Sequence, residues 1–293
     1  MVCKDDGTWS TNIKHCSADC GKITPDGKQY VIDGKRAKHG ELPWHAGIYE
    51  NKNLLYKQIC GGSLVSTTTV ITAAHCFWHD IEGQLPAEMF AVGLGKIYRP
   101  WNESHDVGSQ HSKVSEIHMP PEFQGASTNY QYDIAVLVLE TEIVYQTFIR
   151  PVCIDFDSNL NSKHLRDGNL GKIAGWGLTA ANGKAAPVLQ VVELPFVPYK
   201  KCFDESPEEF RPFINGDKFC AGFKNGTTLC EGDSGGGLAF PEQEKDFSKY
   251  YLRGIVSTAP RNDKLKCDPN TRITFTSIAK HESFIKDYAN LND

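Results

Sequence analysis

The sequence has no apolar run long enough to cross a membrane, since stretches such as Ile134–Leu139 are far shorter than the ~20 residues of a spanning helix. It has no long run of lysine or arginine either, and its formal net charge is -5. These absences give no reason to expect a membrane surface or a nucleic acid as a partner. Charged residues also follow Met1 almost at once, without the apolar stretch of a signal peptide, so we expect a mature piece or a fragment of a longer precursor.

Ten cysteines are spread along the 293 residues and are not grouped at metal-ligand spacing. This usage predicts disulfide bonds and a secreted, monomeric globular protein in an oxidising extracellular fluid. Two triplets, which begin at Asn102 and Asn225, match the N-glycosylation pattern and agree with secretion. The histidines and acidic residues near His79 and His105 are expected to be solvated loop residues, so we predict neither a metal nor a cofactor.

Short β-rich segments alternate with Gly, Pro, Asn and Asp turns from Val31 onward. Examples are the segments 61–71, 134–139, 171–176 and 251–257. The pattern predicts an all-β protein. Apolar residues recur near helical spacing only between Ser277 and Leu291, where they predict a terminal helix.

A serine lies between glycines, directly after an aspartate, in the run CEGDSGGG at 230–237. A serine hydroxyl is a poor nucleophile at neutral pH, so it needs a base, a partner that orients the base, and donors for the oxyanion formed on attack. We interpret Ser234 as a nucleophile. The backbone N–H groups of Gly232 and Ser234 are the candidate oxyanion donors, because the glycines allow the sharp turn that this needs.

Two strand-like segments offer the missing base and its partner. The run VITAAHC at 70–76 ends an apolar strand with His75, and YDIAVLVL at 132–139 opens another with Asp133, whose carboxylate can accept the second ring N–H. Taken singly, these residues have structural explanations as a strand-end histidine, a salt-bridge aspartate and a glycine turn. Together, in the order His75, Asp133, Ser234, they indicate a catalytic triad.

The chain resembles the trypsin and chymotrypsin family of serine endopeptidases through ITAAHC, YDIAVL, AGWGLT and GDSGGG, which occur in that order at family-like separations. The resemblance covers a catalytic domain at 31–293. It implies two packed six-stranded antiparallel β-barrels, with His75 and Asp133 in the first, Ser234 in the second, and the cleft between them. The terminal helix is expected on the second barrel.

The resemblance also implies a set of disulfide bonds. The pairs are Cys20–Cys153, Cys60–Cys76, Cys202–Cys220 and Cys230–Cys267. A further bridge of many relatives would need cysteines near Gly171 and Phe240, and both are missing, as the loss of one whole disulfide would leave them.

Members of this family are made as zymogens whose new N-terminus, after cleavage, pairs with the carboxylate that precedes the nucleophile. The matching segment here is Tyr30-Val31-Ile32-Asp33-Gly34. We expect cleavage after Tyr30, and we expect the Val31 ammonium to pair with Asp233 and to order the oxyanion amides.

Three positions that match the substrate pocket of the family predict an uncharged, shallow slot. Thr228 lies where trypsins carry the aspartate that binds lysine or arginine, while Ala259 and Ile273 lie where deep pockets have glycine. We therefore expect cleavage after a small or medium apolar residue. Such a slot accepts tyrosine badly, which conflicts with self-cleavage at Tyr30 unless Ile273 moves, the alignment is off by one residue, or another protease makes the cut.

The segment 257–259 is expected to contact both the triad and the substrate. Ser257 should hydrogen-bond Asp133, and its backbone, with that of Ala259, should pair with the substrate as an added strand. Thr258 lies where relatives usually have tryptophan, so the neighbouring subsite should differ in shape.

The first thirty residues differ from the rest. Residues 1–19, with Cys3 and Cys16, resemble the closing part of a sushi (complement control protein) module, and a small disulfide loop is the alternative. Residues 20–30 are interpreted as an activation linker that the Cys20–Cys153 bond keeps attached after cleavage. A sushi-like piece and a non-basic activation site together resemble initiating proteases of invertebrate humoral cascades, namely the insect modular serine proteases and horseshoe crab clotting factor C.

The resemblance implies a secreted serine endopeptidase zymogen that acts in an immune or clotting cascade of a hemolymph-like fluid. Its substrate would be a downstream protease zymogen, and a protein that recognises microbial material would act upstream of it. One alternative is a digestive chymotrypsin- or elastase-like enzyme, which needs neither the N-terminal cysteines nor Tyr30. Another is a catalytically silent homologue that serves as a cofactor, and the intact His75, Asp133 and Ser234 argue against it.

Overall fold

We analysed a computed structural model of the chain, which describes residues 20–23, 37–53, 55–177, 184–224, 229–230, 232–245, 247–260, 268 and 271–291. Several predicted site residues lie outside this described part of the chain. They are Cys3, Cys16, Tyr30, Val31, Asn225, Thr228 and Cys267.

The first half of the chain forms a closed six-stranded antiparallel barrel. Its strands are β1 (His45–Lys52), β2 (Leu55–Leu64), β3 (Thr69–Thr72), β6 (Phe90–Leu94), β7 (Gln110–His118) and β8 (Ala135–Leu139), with a small ladder of β4 (Trp78–His79) and β5 (Gly83–Gln84) between β3 and β6. The order around the barrel is β1-β2-β3-β8-β7-β6. The segment 61–71, which the sequence pattern suggested as one strand, is the end of β2 and the start of β3.

Burial along β7 explains how this barrel keeps its core intact. Ser112, Val114 and Ile117 are buried, which breaks strict alternation, and the pairing with β8 shifts register between Val114 and Glu116. A β-bulge inserts one extra residue, so it returns the next apolar side chain to the inner face.

The second half of the chain forms another closed six-stranded antiparallel barrel. Its strands are β9 (Leu170–Gly175), β10 (Gln190–Val197), β11 (Lys218–Ala221), β12 (Gly237–Gln243), β13 (Ser248–Thr258) and β14 (Ile273–Ser277). The order around the barrel is β10-β11-β14-β13-β12-β9. The two barrels confirm the all-β architecture that the resemblance implied.

Three short α-helices complete the described fold: α1 (Ser158–His164), α2 (Tyr199–Glu205) and α3 (Glu282–Tyr288). Each has seven residues, and within the described part of the chain no helix is long and apolar enough to cross a membrane.

The family resemblance implied a terminal helix on the second barrel, but α3 also contacts the first barrel. It follows β14 through the 3-10 turn Ile278–His281, but its Tyr288 ring stacks on His118 of β7 with 4.3 Å between centroids. Buried Ile285 belongs to a core cluster that includes side chains of the first barrel. An amphipathic pattern marks the buried face of a helix but does not identify the surface that covers it.

Three disulfide bonds join described residues: Cys20–Cys153, Cys60–Cys76 and Cys202–Cys220. All three are pairs that the family resemblance implied. Cys230 is also disulfide-bonded, and its expected partner lies outside the described residues.

The Cys20–Cys153 bond ties the segment before the catalytic domain to the second barrel. The adjacent Gly21 donates its N–H to the Pro151 carbonyl at 2.7 Å and accepts from the Tyr250 N–H at 2.9 Å. The bond spans 133 residues of sequence. It would therefore keep the N-terminal segment attached if the chain were cleaved between Ile23 and Ala37.

His45 in β1 is buried, and no described residue forms a hydrogen bond with its Nε2 atom. Burial lowers the pKa of His45 from its usual 6.5 to about 4. Below pH 6.5 the unfolded chain binds a proton at this histidine, whereas the folded chain binds it only near pH 4. The free energy of unfolding is therefore highest above pH 6.5, and it falls by about 3 kcal/mol in total as the pH drops from 6.5 towards 4.

We predict that His45→Leu reduces the loss of stability between pH 7 and pH 4, because the variant has no group to protonate there. The measurement is the free energy of unfolding from urea titrations at both pH values. The variant His79→Leu, which changes an exposed histidine of the same barrel, is the control. Equal losses in the wild type and His45→Leu would contradict the prediction.

Candidate active site

His75 and Asp133 meet because they lie at the same end of two neighbouring strands. Thr72 of β3 pairs with Ala135 of β8, and the chain continues from β3 into the turn Ala74–Phe77 while Asp133 precedes β8. His75 Nδ1 lies 2.8 Å from Asp133 Oδ2, and the His75 backbone N–H donates to Asp133 Oδ1 at 2.9 Å. An ionised carboxylate only accepts, so Nδ1 carries the proton and Nε2 is left as the basic nitrogen.

The Asp133 carboxylate is completely buried. Burial alone would raise its pKa, but the charge of His75 and its hydrogen bond, the ammonium of Lys218 and the hydroxyl of Ser257 together hold the pKa below its usual value. Ser257 Oγ donates to Oδ2 at 2.5 Å, which is the contact expected from the sequence. Asp133 is therefore equipped to stay ionised and to stabilise a positively charged His75 ring.

A close contact between the two barrels positions the Ser234 backbone against β2 and β3. The Gly61 N–H of β2 donates to the Ser234 carbonyl at 2.7 Å. The next residue, Gly235, has φ +78, and a Cβ there would lie 2.2 Å from Thr72 Oγ1. Only glycine fits this approach, which explains the residue after the candidate nucleophile.

The side chains of Ser234 and His75 line the same cavity. No hydrogen bond joins Ser234 Oγ to His75 Nε2 among the contacts of the described residues. In enzymes without bound substrate this bond is often long and tightens in the substrate complex. Proton transfer from the hydroxyl to the ring requires these two atoms to come within hydrogen-bond distance.

The candidate oxyanion donors have no acceptor within the part of the chain that the structure describes. Among the described residues, neither the Gly232 N–H nor the Ser234 N–H donates to another atom of the chain. The Gln58 side chain fixes this turn from the first barrel, since its Nε2 donates to the Gly232 carbonyl at 2.9 Å and to the Cys60 carbonyl at 3.1 Å. No local pattern marks Gln58, which lies 174 residues away from Gly232.

Asp233 is a second buried carboxylate, and its hydrogen-bond partners among the described residues are backbone N–H groups. Its Oδ1 accepts from the Gly177 N–H at 2.8 Å and its Oδ2 from the Cys230 N–H at 2.9 Å. Burial raises the pKa of Asp233 to about 6, and the two backbone hydrogen bonds oppose this shift only in part. No cationic side chain of the described residues forms an ion pair with it.

The cavity beside Ser234 has a volume of about 380 Å³. Its lining includes Ala259 and Ile273, which the sequence suggested as walls of a substrate pocket, together with Cys230, Leu229 and Val256. Thr228, expected at the base, lies outside the described residues. The Thr258 hydroxyl lies 2.6 Å from that of Thr274.

The cavity continues into an aromatic end that sequence reasoning missed. Tyr130, Phe210 and Phe213 line it, and the carboxylates of Glu209 and Asp268 are also part of the lining. Phe210 and Phe213 lie in a turn without a recognisable motif, so only the folded chain brings them to the cleft.

Two groups of the described residues bear on metal binding. Cys60, His75 and Cys76 lie close together, but the two sulfurs are bonded to each other and offer no thiolate ligand. In the loop between β6 and β7, buried Lys96 donates to Asp106 Oδ2 at 2.7 Å. The lysine ammonium is thus the cation that pairs with this buried carboxylate.

A protein-family model described as Trypsin matches residues 31–281. The chain belongs to the trypsin family of serine proteases. It is 32% identical over 261 residues to Clotting factor C of Tachypleus tridentatus, which covers 87% of this chain and 25% of the relative. It is 30% identical over 298 residues to Modular serine protease of Drosophila melanogaster, covering 99% of this chain and 45% of the relative.

A third relative of this trypsin-family chain is Melanization protease 1 of Drosophila melanogaster, 30% identical over 292 residues, covering 94% of this chain and 69% of the relative. The chain thus spans about a quarter of Clotting factor C and less than half of Modular serine protease. The similarity extends to a relative named for melanization as well as to one named for clotting.

We predict that Gly177→Ala destabilises this trypsin-family domain by about 1–3 kcal/mol, the usual cost of overpacking a filled site. A Cβ at Gly177 would lie 2.0 Å from Asp233 Oδ2, so the carboxylate must leave its two backbone donors. The measurement is the free energy of unfolding. Gly216→Ala is the matched control, since its Cβ meets no atom within 4 Å, and a similar change in both variants would refute the prediction.

Proposed function

We propose that the chain is the catalytic part of a secreted serine endopeptidase zymogen, which cleaves a downstream protease zymogen after an apolar residue. The single observation that carries the catalytic part of this proposal is the His75–Asp133 geometry. A fully buried, ionised carboxylate holds the histidine ring through Nδ1 and leaves Nε2 as the basic nitrogen, and both His75 and Ser234 line the same cleft.

In the proposed reaction the Ser234 hydroxyl attacks the carbonyl carbon of the substrate while His75 Nε2 takes its proton. Asp133 stabilises the imidazolium, and the oxyanion accepts from the N–H groups of Gly232 and Ser234. His75 then gives the proton to the leaving amine, which leaves an acyl-enzyme at Ser234. Water, activated by the same ring, hydrolyses the ester and regenerates the serine.

Asp233 supports the zymogen part of the proposal. Its buried carboxylate has hydrogen-bond donors but no counter-charge among the described residues. An ammonium at this point, which we assign to Val31 after cleavage behind Tyr30, would neutralise the carboxylate. Asp233 lies between the two oxyanion amides in the chain, so this ion pair would order them.

The cleft supports a preference for apolar residues before the scissile bond. Leu229, Val256, Ala259 and Ile273 are apolar walls of the cavity beside Ser234, and such walls leave an arginine or lysine head without a partner. Two acidic residues also line the cavity. Glu209 is exposed, where a charge contributes little to binding, whereas Asp268 is half-buried and would favour a basic residue, so the peptide panel below tests the apolar walls against this charge.

The names of the relatives support the cascade role and favour it over digestion. Relatives are named for clotting and for melanization, and the Cys20–Cys153 bond retains an N-terminal piece that a digestive enzyme does not need. We extend the proposal to an upstream protein that recognises microbial material, to an extracellular fluid such as hemolymph, and to a carbohydrate on exposed Asn102.

We predict that the purified chain, once cleaved, reacts with an organophosphate at Ser234, and that Ser234→Ala does not react. The measurement is the mass of the labelled peptide. The new N-terminus of the cleaved chain should read Val-Ile-Asp-Gly-Lys. Absence of label in a chain with that terminus would favour the catalytically silent homologue instead.

We also predict that the activated chain cleaves peptides after Leu or Val at least about tenfold faster than after Arg. Apolar walls leave the arginine head without a partner, and such discrimination amounts to a few kcal/mol. A panel of peptides that differ only in the residue before the scissile bond provides the measurement. Faster cleavage after Arg would refute the proposed pocket. Efficient cleavage after Tyr would favour self-activation at Tyr30.

A further inference from the structure

The loop that presents Asp133 has an unusual backbone. Asn129, Tyr130 and Tyr132 have positive φ values of 51°, 55° and 59°. Asparagine tolerates this left-handed region, and Asn129 ends a 3-10 turn there, but bulky side chains such as tyrosine adopt it rarely. Such conformations persist only where surrounding contacts enforce them, and they concentrate at functional sites.

A tight turn connects this strain to the candidate catalytic carboxylate. The Ile134 N–H donates to the Tyr132 carbonyl at 2.8 Å, across Asp133. The direction of the Asp133 side chain therefore depends on how the Tyr132 peptide is oriented. A loop that relaxed at Tyr132 would rotate the carboxylate away from His75.

The first contact that holds the loop comes from the other barrel. Asp217, which immediately precedes β11, is buried, and its Oδ2 accepts from the Tyr132 N–H at 2.8 Å, although the two residues are 85 positions apart. The same oxygen lies 3.2 Å from His281 Nε2. The Asp217 carbonyl accepts from the Ser277 N–H at the end of β14, so Asp217 is itself fixed by two segments of the chain.

The second contact is a buried lysine. Lys218, the first residue of β11, is buried with its Nζ 3.5 Å from the Asn129 carbonyl. Its ammonium faces the carboxylates of Asp133 and Asp217. Burial lowers the pKa of Lys218 to about 8, and the two carboxylates oppose a larger shift. The lysine thus supplies a buried positive charge that acts on the triad carboxylate.

The geometry points to a clamp in which Asp217 and Lys218 of the second barrel hold the strained 129–133 loop, so that the Asp133 carboxylate meets the His75 ring. Both are positioning residues, since they act through Asp133 and do not line the substrate cavity. The clamp rests on the proposed function only for its effect on turnover. Its effect on the loop and on the His75–Asp133 bond is independent of turnover.

The test uses the activated full chain and the variants Asp217→Ala, Asp217→Asn and Lys218→Met. Asp217→Ala removes the acceptor for Tyr132, whereas Asp217→Asn keeps an oxygen there and removes only the charge. Lys113→Met, at an exposed lysine of β7, is the matched control for Lys218→Met.

Two measurements need no substrate. Hydrogen exchange of the Tyr132 amide should be at least about tenfold faster in Asp217→Ala, because its acceptor is lost, and close to wild type in Asp217→Asn. The low-field proton resonance of His75 Nδ1–H, which reports the bond to Asp133, should weaken in Asp217→Ala and remain in Asp217→Asn. Wild-type exchange and a wild-type resonance in Asp217→Ala would overturn the clamp.

Turnover gives the third measurement. In Asp217→Ala, kcat should fall on the order of 10- to 100-fold with KM little changed, as expected for a misoriented catalytic group. A wild type that forms the low-field resonance but neither hydrolyses peptides nor takes up organophosphate would refute the proposed function while the first two measurements still decide the clamp.

Lys218→Met tests the charge and carries the test if Asp217→Ala does not fold. Without the ammonium, the Asp133 carboxylate loses one of the charges that keep it ionised, so the low-field resonance of His75 Nδ1–H should weaken or shift. Lys113→Met should leave this resonance unchanged. His281, whose Nε2 lies 3.2 Å from Asp217 Oδ2, is present in all variants. A wild-type resonance in Lys218→Met would overturn the role of the lysine.

Discussion

The burial of the Asp133 carboxylate is the constraint on which the rest of the site depends. A buried carboxylate without partners costs several kcal/mol, and a protein relieves this cost by protonating the group or by surrounding it with donors and charge. Here the donors are the ring and backbone of His75 and the hydroxyl of Ser257, with Lys218 nearby. They come from both barrels, so docking of the barrels buries Asp133 and at the same time supplies the partners that keep it ionised.

The same docking sets the position of Ser234. The hydrogen bond from Gly61 to the Ser234 carbonyl and the close approach of Gly235 to Thr72 join the nucleophile segment to β2 and β3. β3 also leads directly into His75. The distance between base and nucleophile is therefore determined by packing between the barrels, and the Gln58 amide extends this packing to the Gly232 carbonyl on the oxyanion side.

Sequence reasoning identified His75, Asp133 and Ser234 because each lies in a contiguous motif. The two barrels followed from the family that these motifs indicate. It missed Gln58, Asp217 and Lys218, because their partners lie 85 or more residues away and no local pattern marks a long-range hydrogen bond. It misjudged the contact surface of α3 for the same reason. The left-handed Tyr130 and Tyr132 also had no signal, since tyrosine is a residue that local propensity would not assign to such a backbone.

The two buried aspartates of the site differ in one physical respect, and this difference links catalysis to activation. The pKa of Asp133 is lowered because charged partners surround it, whereas that of Asp233 is raised to about 6 because burial dominates and only backbone N–H groups oppose it. A cation that returned the pKa of Asp233 to its usual 3.8 would gain about 3 kcal/mol from this carboxylate alone. In the proposed activation that cation is the Val31 ammonium. Since Asp233 lies between Gly232 and Ser234 in the chain, the same free energy is available to order the oxyanion amides, while the His75–Asp133 pair needs no such step.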